Sequence, residues 1–252
     1  MIPHTVGRMA VFGDDLEARP DGVMAFSETT LLLWQASEPP ARVGSALDLG
    51  CGAGALALLM ARRAGWVTGT DLNLRAVELA RRNARSNDVE NVDFRFGDGF
   101  APVRGERFDL IVSQPPYVAH PAGTPRSMTQ QGGPRGDEIA LRWLRQAADH
   151  LTPGGRAVFL LDMPVLETGF QPTVPGLWLA APEISAADYA AEYPAFAGLR
   201  EHYAALRIRA MRPCVAVVRA TDKLAVIREV PAGGWRRITR DGIDEMIAAT
   251  AS

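Results

Sequence analysis

The stretch Asp48-Leu49-Gly50-Cys51-Gly52-Ala53-Gly54 constrains this chain more than any other part of it. An apolar run ends there, three glycines follow at alternate positions, and a second apolar run begins at Ala55. Strand, tight turn and helix in direct succession is the arrangement this order requires, because glycines tolerate backbone conformations closed to other residues and let the chain approach a ligand closely.

The same alternation continues for a hundred residues. Residues 45–49 read as a buried strand, 55–63 as a helix closed by Gly65, 66–70 as a short strand ending at Asp71, and 74–85 as a helix in which Glu78 and Arg82 stand four apart. Residues 92–96 read as a strand with a turn at Asp98-Gly99, and 108–113 as an apolar strand stopped by Pro115-Pro116. Residues 137–150 have helical amphipathicity, Pro153-Gly154-Gly155 marks a turn, and 157–161 form another buried strand. Near-continuous apolar strands between helices imply a parallel sheet covered on both faces. The expected fold is therefore α/β: a Rossmann-like, doubly wound, mostly parallel sheet of about seven strands.

Around this frame the chain divides into an N-terminal segment, 1–44, expected to flank the active site, and a ligand-binding domain, 45–252. Ser27 reads as the N-cap of a short helix that ends before Pro39-Pro40. Residues 177–180 and 215–218 read as strands. Between them, 185–209 is expected to be helical, carrying Tyr189, Tyr193, Phe196 and Tyr203 within a cap insertion at 182–212. Residues 221–252 are assigned a strand pair and a terminal helix.

Composition narrows the function. With 27 Lys and Arg against 29 Asp and Glu, the formal net charge is −2, which disfavours a protein that grips long nucleic acid. The two cysteines, Cys51 and Cys214, form neither a disulfide framework nor a metal cluster. No apolar run is long enough for a membrane span and no leader is evident, so a soluble cytoplasmic protein without a metal is expected.

The polar motifs fall just after strands, where open α/β sheets bind ligands. Asp48 beside the glycine turn adds a carboxylate that a phosphate would not welcome but a ligand bearing an amino group and a sulfonium would. The turn also fits a dinucleotide pattern through Gly50, Gly52 and Ala55, so it leaves the cofactor open. Asp71, about 20 residues on, stands where an acid meets ribose hydroxyls, or else caps the next helix in competition with Asn73. Asp98, with Gly99 and Phe100, forms either an adenine contact or an ordinary turn. Gln114-Pro115-Pro116-Tyr117 combines free carbonyls, an amide and a flat ring, suited to clamping a planar group and aiming its nitrogen. His120 and the arginines 200, 207, 209 and 212 read as solvent-facing by default.

Residues 46–161 resemble class I S-adenosylmethionine-dependent methyltransferases, in particular the branch of protein-glutamine N5- and adenine- or guanine-N-methyltransferases. The resemblance implies S-adenosyl-L-methionine as cofactor, held by Asp48, Gly50, Cys51, Gly52, Gly54, Asp71, Leu72, Asp98 and Gly99. It implies acceptor chemistry at Gln114, Pro115, Pro116 and Tyr117. Gln131–Asp137, Leu151–Gly155 and Glu28–Leu32 are similar to segments of the glutamine methyltransferases. Two features depart from the branch. Gln114 replaces its Asn or Asp, and only about 45 residues precede the turn, fewer than the helical domain of release-factor-modifying members occupies. A nitrogen of a planar or amide group, on a small molecule or a protein side chain, is the expected acceptor. O- or C-methylation of a small metabolite, an RNA base, or a nicotinamide-dependent oxidoreduction on the same turn are the alternatives, together with a non-catalytic partner subunit.

Overall fold

The computed structural model describes residues 2–6, 9–14, 21–121, 130–194, 196 and 198–230. Strands β1 (Ile2–Val6) and β2 (Met9–Gly13) form an antiparallel ribbon. Helix α1 (Glu28–Ser37) starts at a capping box in which Ser27 and Thr30 exchange backbone–side-chain hydrogen bonds. Then follow β3 (Val43–Leu49), α2 (Ala55–Met60), β4 (Ala64–Asp71), α3 (Leu74–Ser86), β5 (Val92–Phe96) and β6 (Phe108–Ser113). The small pair β7 (Val118–Ala119) and β8 (Gln131–Gly133) precedes α4 (Glu138–Ala147) and β9 (Leu151–Leu166). The last third holds β10 (Gly176–Ala180), β11 (Ile184–Ser185), α5 (Ala186–Ala191), α6 (Leu199–Ala205), β12 (Ile208–Val218) and β13 (Ala225–Glu229).

The main sheet runs β13-β10-β12-β9-β6-β3-β4-β5, with β11 paired to β12. All neighbours along this path are parallel except β12, which lies antiparallel between β9 and β10. The chain reverses direction across the sheet between β3 and β6, opening a crevice at their carboxyl ends. Alternation along the strands builds two cores. Leu110, Val112, Val158 and Leu160 pack with α1, α2 and α3, whereas Ile111, Phe159 and Leu161 face Trp143 and Leu144 of α4.

Several expectations change. Among the described residues the sheet counts nine strands, the two-residue β11 included. Helix α2 stops at Met60, and Gly65 lies inside β4. Pro153-Gly154-Gly155 is a bulge within the long β9, where the register against β6 jumps from Phe108↔Leu151 to Leu110↔Arg156. The segment 185–209 is two short helices rather than a continuous one, and β12 already begins at Ile208. Pairing with β9 on one side and β11 on the other draws residues 208–212 into the sheet. The β1–β2 ribbon has no counterpart in the pattern of the sequence. Of the strand pair and helix assigned to 221–252, β13 is observed, and residues 231–252 lie outside the described part.

The ribbon is held by helix α3. Asn83 accepts from Phe12 N–H at 3.0 Å and donates to Phe12 O at 3.0 Å and Ala53 O at 2.9 Å. One turn later, Asn87 accepts from Ala10 N–H at 2.9 Å and donates to Ala10 O at 2.8 Å. Two carboxamides four residues apart thus take the place of a neighbouring strand for β2. Asp14 continues the link with a two-pronged bond to Arg75 at 2.8 and 2.5 Å.

Candidate active site

The crevice at the ends of β3, β4 and β6 contains a cavity of about 320 Å³. Asp48, Gly50, Cys51, Gly52, Asp71, Gln114, Pro115, Pro116 and Tyr117 all line it. The opposite wall comes from Val23 to Thr30, with Asn73, Gln130 and Tyr193 closing the ends. Gly54 and Leu72 are not in the wall. A Cβ on Gly54 would stand 2.9 Å from the Ala80 Cβ, and its φ of +82° is left-handed, so this glycine is required for packing the turn onto α3. Leu72 is exposed beside Asp71.

Asp48 is buried, and its Oδ2 accepts from Ala57 N–H at 2.9 Å. One free N–H of the α2 start is thus taken by the protein's own carboxylate. Burial pushes the Asp48 carboxyl up to about 7, with the Ala57 bond opposing and the charge of Asp71 adding to the rise. Asp71 accepts from Gly52 N–H and Asn73 N–H, both at 2.8 Å, and burial raises its carboxyl too, against those two bonds. Asn73 is the residue that caps α3, accepting from Arg75 N–H at 3.0 Å, so Asp71 is left to tie the glycine turn to the end of β4. The Cys51 thiol is raised well above its ordinary value by burial and by both carboxylates, which makes it inert as a nucleophile.

Gln114 projects from the end of β6 and donates from Nε2 to Thr29 Oγ1 at 2.8 Å. That bond crosses the cavity from the sheet to the start of α1. Ser113 anchors the strand end behind it by donating to Leu49 O at 2.7 Å. Burial raises the Tyr117 hydroxyl above its ordinary value, with smaller effects from Asp162 and Tyr193.

Asp98 and Gly99 line a second hollow with Phe100, Arg142, Trp143 and His150, and Trp143 lies against both Gly99 and Gly50 of the main cavity. Asp98 pairs with Arg142 at 2.9 Å, and the Phe100 ring stacks on His150 with centroids 4.4 Å apart. Of the arginines, Arg212 is buried, donating to Ala181 O at 2.9 Å and pairing with Glu229, while Arg209 pairs with Glu183.

Two features were not read from the sequence. The Val23–Phe26 wall carries no motif. Asp162 is a buried carboxylate inside β9, accepting from the Tyr189 hydroxyl at 2.8 Å. Its signal is a lone acid within the apolar run Phe159-Leu160-Leu161-Asp162-Met163.

Among the described residues, the cavity wall has two carboxylates and no Lys, Arg or His. It therefore suits a ligand with positive charge beside Asp48 and Asp71. The Gln-Pro-Pro-Tyr loop faces it from the other side. Residues 26–164 match the family model described as Methyltransferase small domain. The release factor glutamine methyltransferase of Xylella fastidiosa (strain Temecula1 / ATCC 700964) is 36% identical over 168 residues, covering 61% of this chain and 60% of that protein. Its counterpart from strain 9a5c is 37% identical over 122 residues, covering 47% and 44%. The ribosomal protein uL3 glutamine methyltransferase of Bradyrhizobium diazoefficiens is 35% identical over 153 residues, covering 56% and 48%. The chain spans about half the length of these relatives. With more than half of its own residues matched by the family model, across the turn, the acid and the Gln-Pro-Pro-Tyr loop alike, the chain belongs to the methyltransferase small domain family.

Proposed function

We propose that the protein transfers a methyl group from S-adenosyl-L-methionine to a carboxamide nitrogen, on a protein side chain or a small molecule. The observation that carries this reading is the charge of the cavity wall: Asp48 and Asp71 without a cation among the described lining residues. A sulfonium and an ammonium are matched by such a wall. The pyrophosphate of a nicotinamide dinucleotide is not, since the α2 start already gives Ala57 N–H to Asp48. The bound cofactor would supply an electrophilic methyl carbon. The chain would hold it through the glycine turn, Asp48 and Asp71, and exclude water with the Val23–Phe26 wall. The free carbonyls of the Gln114-Pro115-Pro116 loop would accept N–H groups of the acceptor and aim its nitrogen into the cavity.

The glutamine methyltransferases among the relatives support a side-chain amide as acceptor. The absence of cations in the described wall counts against a nucleic-acid acceptor. No described helix is long and apolar enough to cross a membrane. Two buried, unbridged cysteines support a reducing compartment, and the cytoplasm is the proposed location. Isothermal titration with S-adenosyl-L-methionine and, separately, NADH tests the cofactor. Labelled-methyl transfer into fractionated cell protein, RNA and small molecules tests the acceptor. Tight NADH binding without S-adenosyl-L-methionine binding rejects the reading, and label confined to RNA rejects the acceptor class.

A further inference from the structure

The wall of the main cavity is drawn from residues 23–130 with one exception among the described residues: Tyr193, which follows α5 in the C-terminal segment. Tyr193 lies beyond residue 164, where the family-matched part of the chain ends. It is half-buried, and two neighbouring rings support it. The Tyr189 ring stands 5.1 Å away at 45°, and the Phe196 ring 6.3 Å away at 85°. Both of those residues are buried. Tyr189 is fixed in turn to the sheet, since its hydroxyl donates to Asp162 Oδ2 in β9 at 2.8 Å.

The same cap is joined to the Gln-Pro-Pro-Tyr loop. Val118 and Ala119, which follow that loop, are buried in one apolar cluster with Tyr189, Phe196 and Tyr203, and Tyr117 and Tyr193 both pack against it. A carbonyl oxygen only accepts, so His202 Nε2 carries the proton of its 2.6 Å bond to Pro134 O, which ties α6 to the turn after β8. That turn is pressed on the loop. A Cβ on Gly132 would stand 2.7 Å from Pro116 O, and one on Gly136 would stand 2.5 Å from Tyr117 O. Close packing of these parts fixes where the Tyr193 ring stands relative to Gln114–Tyr117.

Pro115, Pro116, Tyr117 and Tyr193 bring four rings to the cavity and Gln114 an amide, and the only charged groups among the described lining residues are Asp48 and Asp71. We propose that Tyr193 is a specificity-determining residue, whose ring packs on the plane of a neutral carboxamide at the acceptor end of the cavity. The assignment to the acceptor rests on the methyl-transfer reading. An amide plane offers flat contact and N–H edges to an aromatic ring, and it enters the cavity without giving up the hydration of a charge. The matching carboxylate would face Asp48 and Asp71 with no cation to offset them, and is turned away. The cap outside the family-matched segment thereby selects what the common core acts on.

The chain has four tyrosines, so ring-¹³C tyrosine gives four sets of NMR signals that single Tyr→Phe variants assign one by one. The probe is N-acetylglutamine N-methylamide, with N-acetylglutamate N-methylamide as its carboxylate twin, each added to the full chain with and without S-adenosyl-L-homocysteine. The amide probe should shift the Tyr117 and Tyr193 signals along one binding curve and leave those of Tyr189 and Tyr203 nearly still. The carboxylate twin should bind at least about ten-fold more weakly, the effect of like charge. Tyr193→Ala should weaken the amide probe about five-fold, the worth of one ring contact, with S-adenosyl-L-methionine affinity within about two-fold of wild type. Tyr193→Phe, which keeps the ring, should restore probe affinity. Tyr117 shifts without Tyr193 shifts, a probe that moves neither ring, or equal affinity for the two probes overturns the proposal. So does unchanged probe affinity in Tyr193→Ala, or a loss in Tyr193→Phe as large as in Tyr193→Ala. A wild-type chain that does not bind S-adenosyl-L-methionine rejects the methyl-transfer reading, while the Tyr193 signals still decide where the carboxamide docks.

Discussion

Raising the pH from about 5.5 to 7 should tighten S-adenosyl-L-methionine binding steeply, because Asp48 must ionise to meet a cation. The carboxyl is only 2% exposed, and burial holds it at about 7 against an ordinary 3.8. A rise of about three pH units is worth about 4 kcal/mol at 1.36 kcal/mol each. Its sign in the free protein is destabilising: the folded state binds the proton more tightly, so stability falls as pH rises between 3.8 and about 7 and is level above. A sulfonium or ammonium beside Asp48 favours the ionised form instead. Affinity should therefore gain about ten-fold per pH unit up to about 7 and then level off. The cofactor's own α-amino group loses its proton near pH 7.7–8.0, so the fit belongs below about 7.5. Calorimetry in two buffers of different ionisation enthalpy should show close to one proton released per binding event at about pH 6. Asp48→Asn keeps an acceptor for Ala57 N–H but removes the charge. It should flatten the affinity profile and raise the unfolding temperature at pH 7.5. A wild-type affinity that stays constant from pH 5.5 to 7, or an Asp48→Asn profile of unchanged slope, would refute the reasoning.

Other substitutions test other parts of the site. Asp71→Ala unties Gly52 N–H and Asn73 N–H at once, and should weaken cofactor binding at least about ten-fold by titration, the cost of one to two charge-assisted bonds. Gln114→Ala should lower turnover about ten-fold or more while leaving cofactor affinity within about two-fold, because the bond it loses is to Thr29 and the acceptor. Gly54→Val should destabilise the fold by about 2–4 kcal/mol in urea unfolding, since its Cβ meets Ala80 and Phe94 and its φ is left-handed. Asn83→Ala removes three bonds that dock β2 and the turn onto α3. It should cost about 2 kcal/mol in stability and speed amide exchange at Phe12.

By itself the sequence determined the elements and turns that rest on short-range chemistry. Residues 45–49, 92–96 and 108–113 are short segments bounded by turn residues, at Gly50, at Gly97 to Gly99 and at Pro115-Pro116, which is the signature of a strand. The Ser27 cap, the Gly50–Gly54 turn and the Pro115-Pro116 exit each follow from the backbone preferences of the residues themselves. Placing Asp48, Asp71 and Gln114 near one another followed in turn from a parallel sheet, whose strand ends share one edge. Only the tertiary structure decided which distant side chains satisfy one another. Asp98 pairs with Arg142, because α4 brings that guanidinium within 2.9 Å. Asn83 and Asn87 pair with β2 across more than seventy residues. β12 begins at Ile208 and pairs with β9, which turns the last two residues of an apparent helix into strand. Asp162 meets Tyr189 across 27 positions. A buried polar group must find a partner, but the sequence carries no record of which one, since that choice depends on strand order and on the packing of helices laid down elsewhere in the chain.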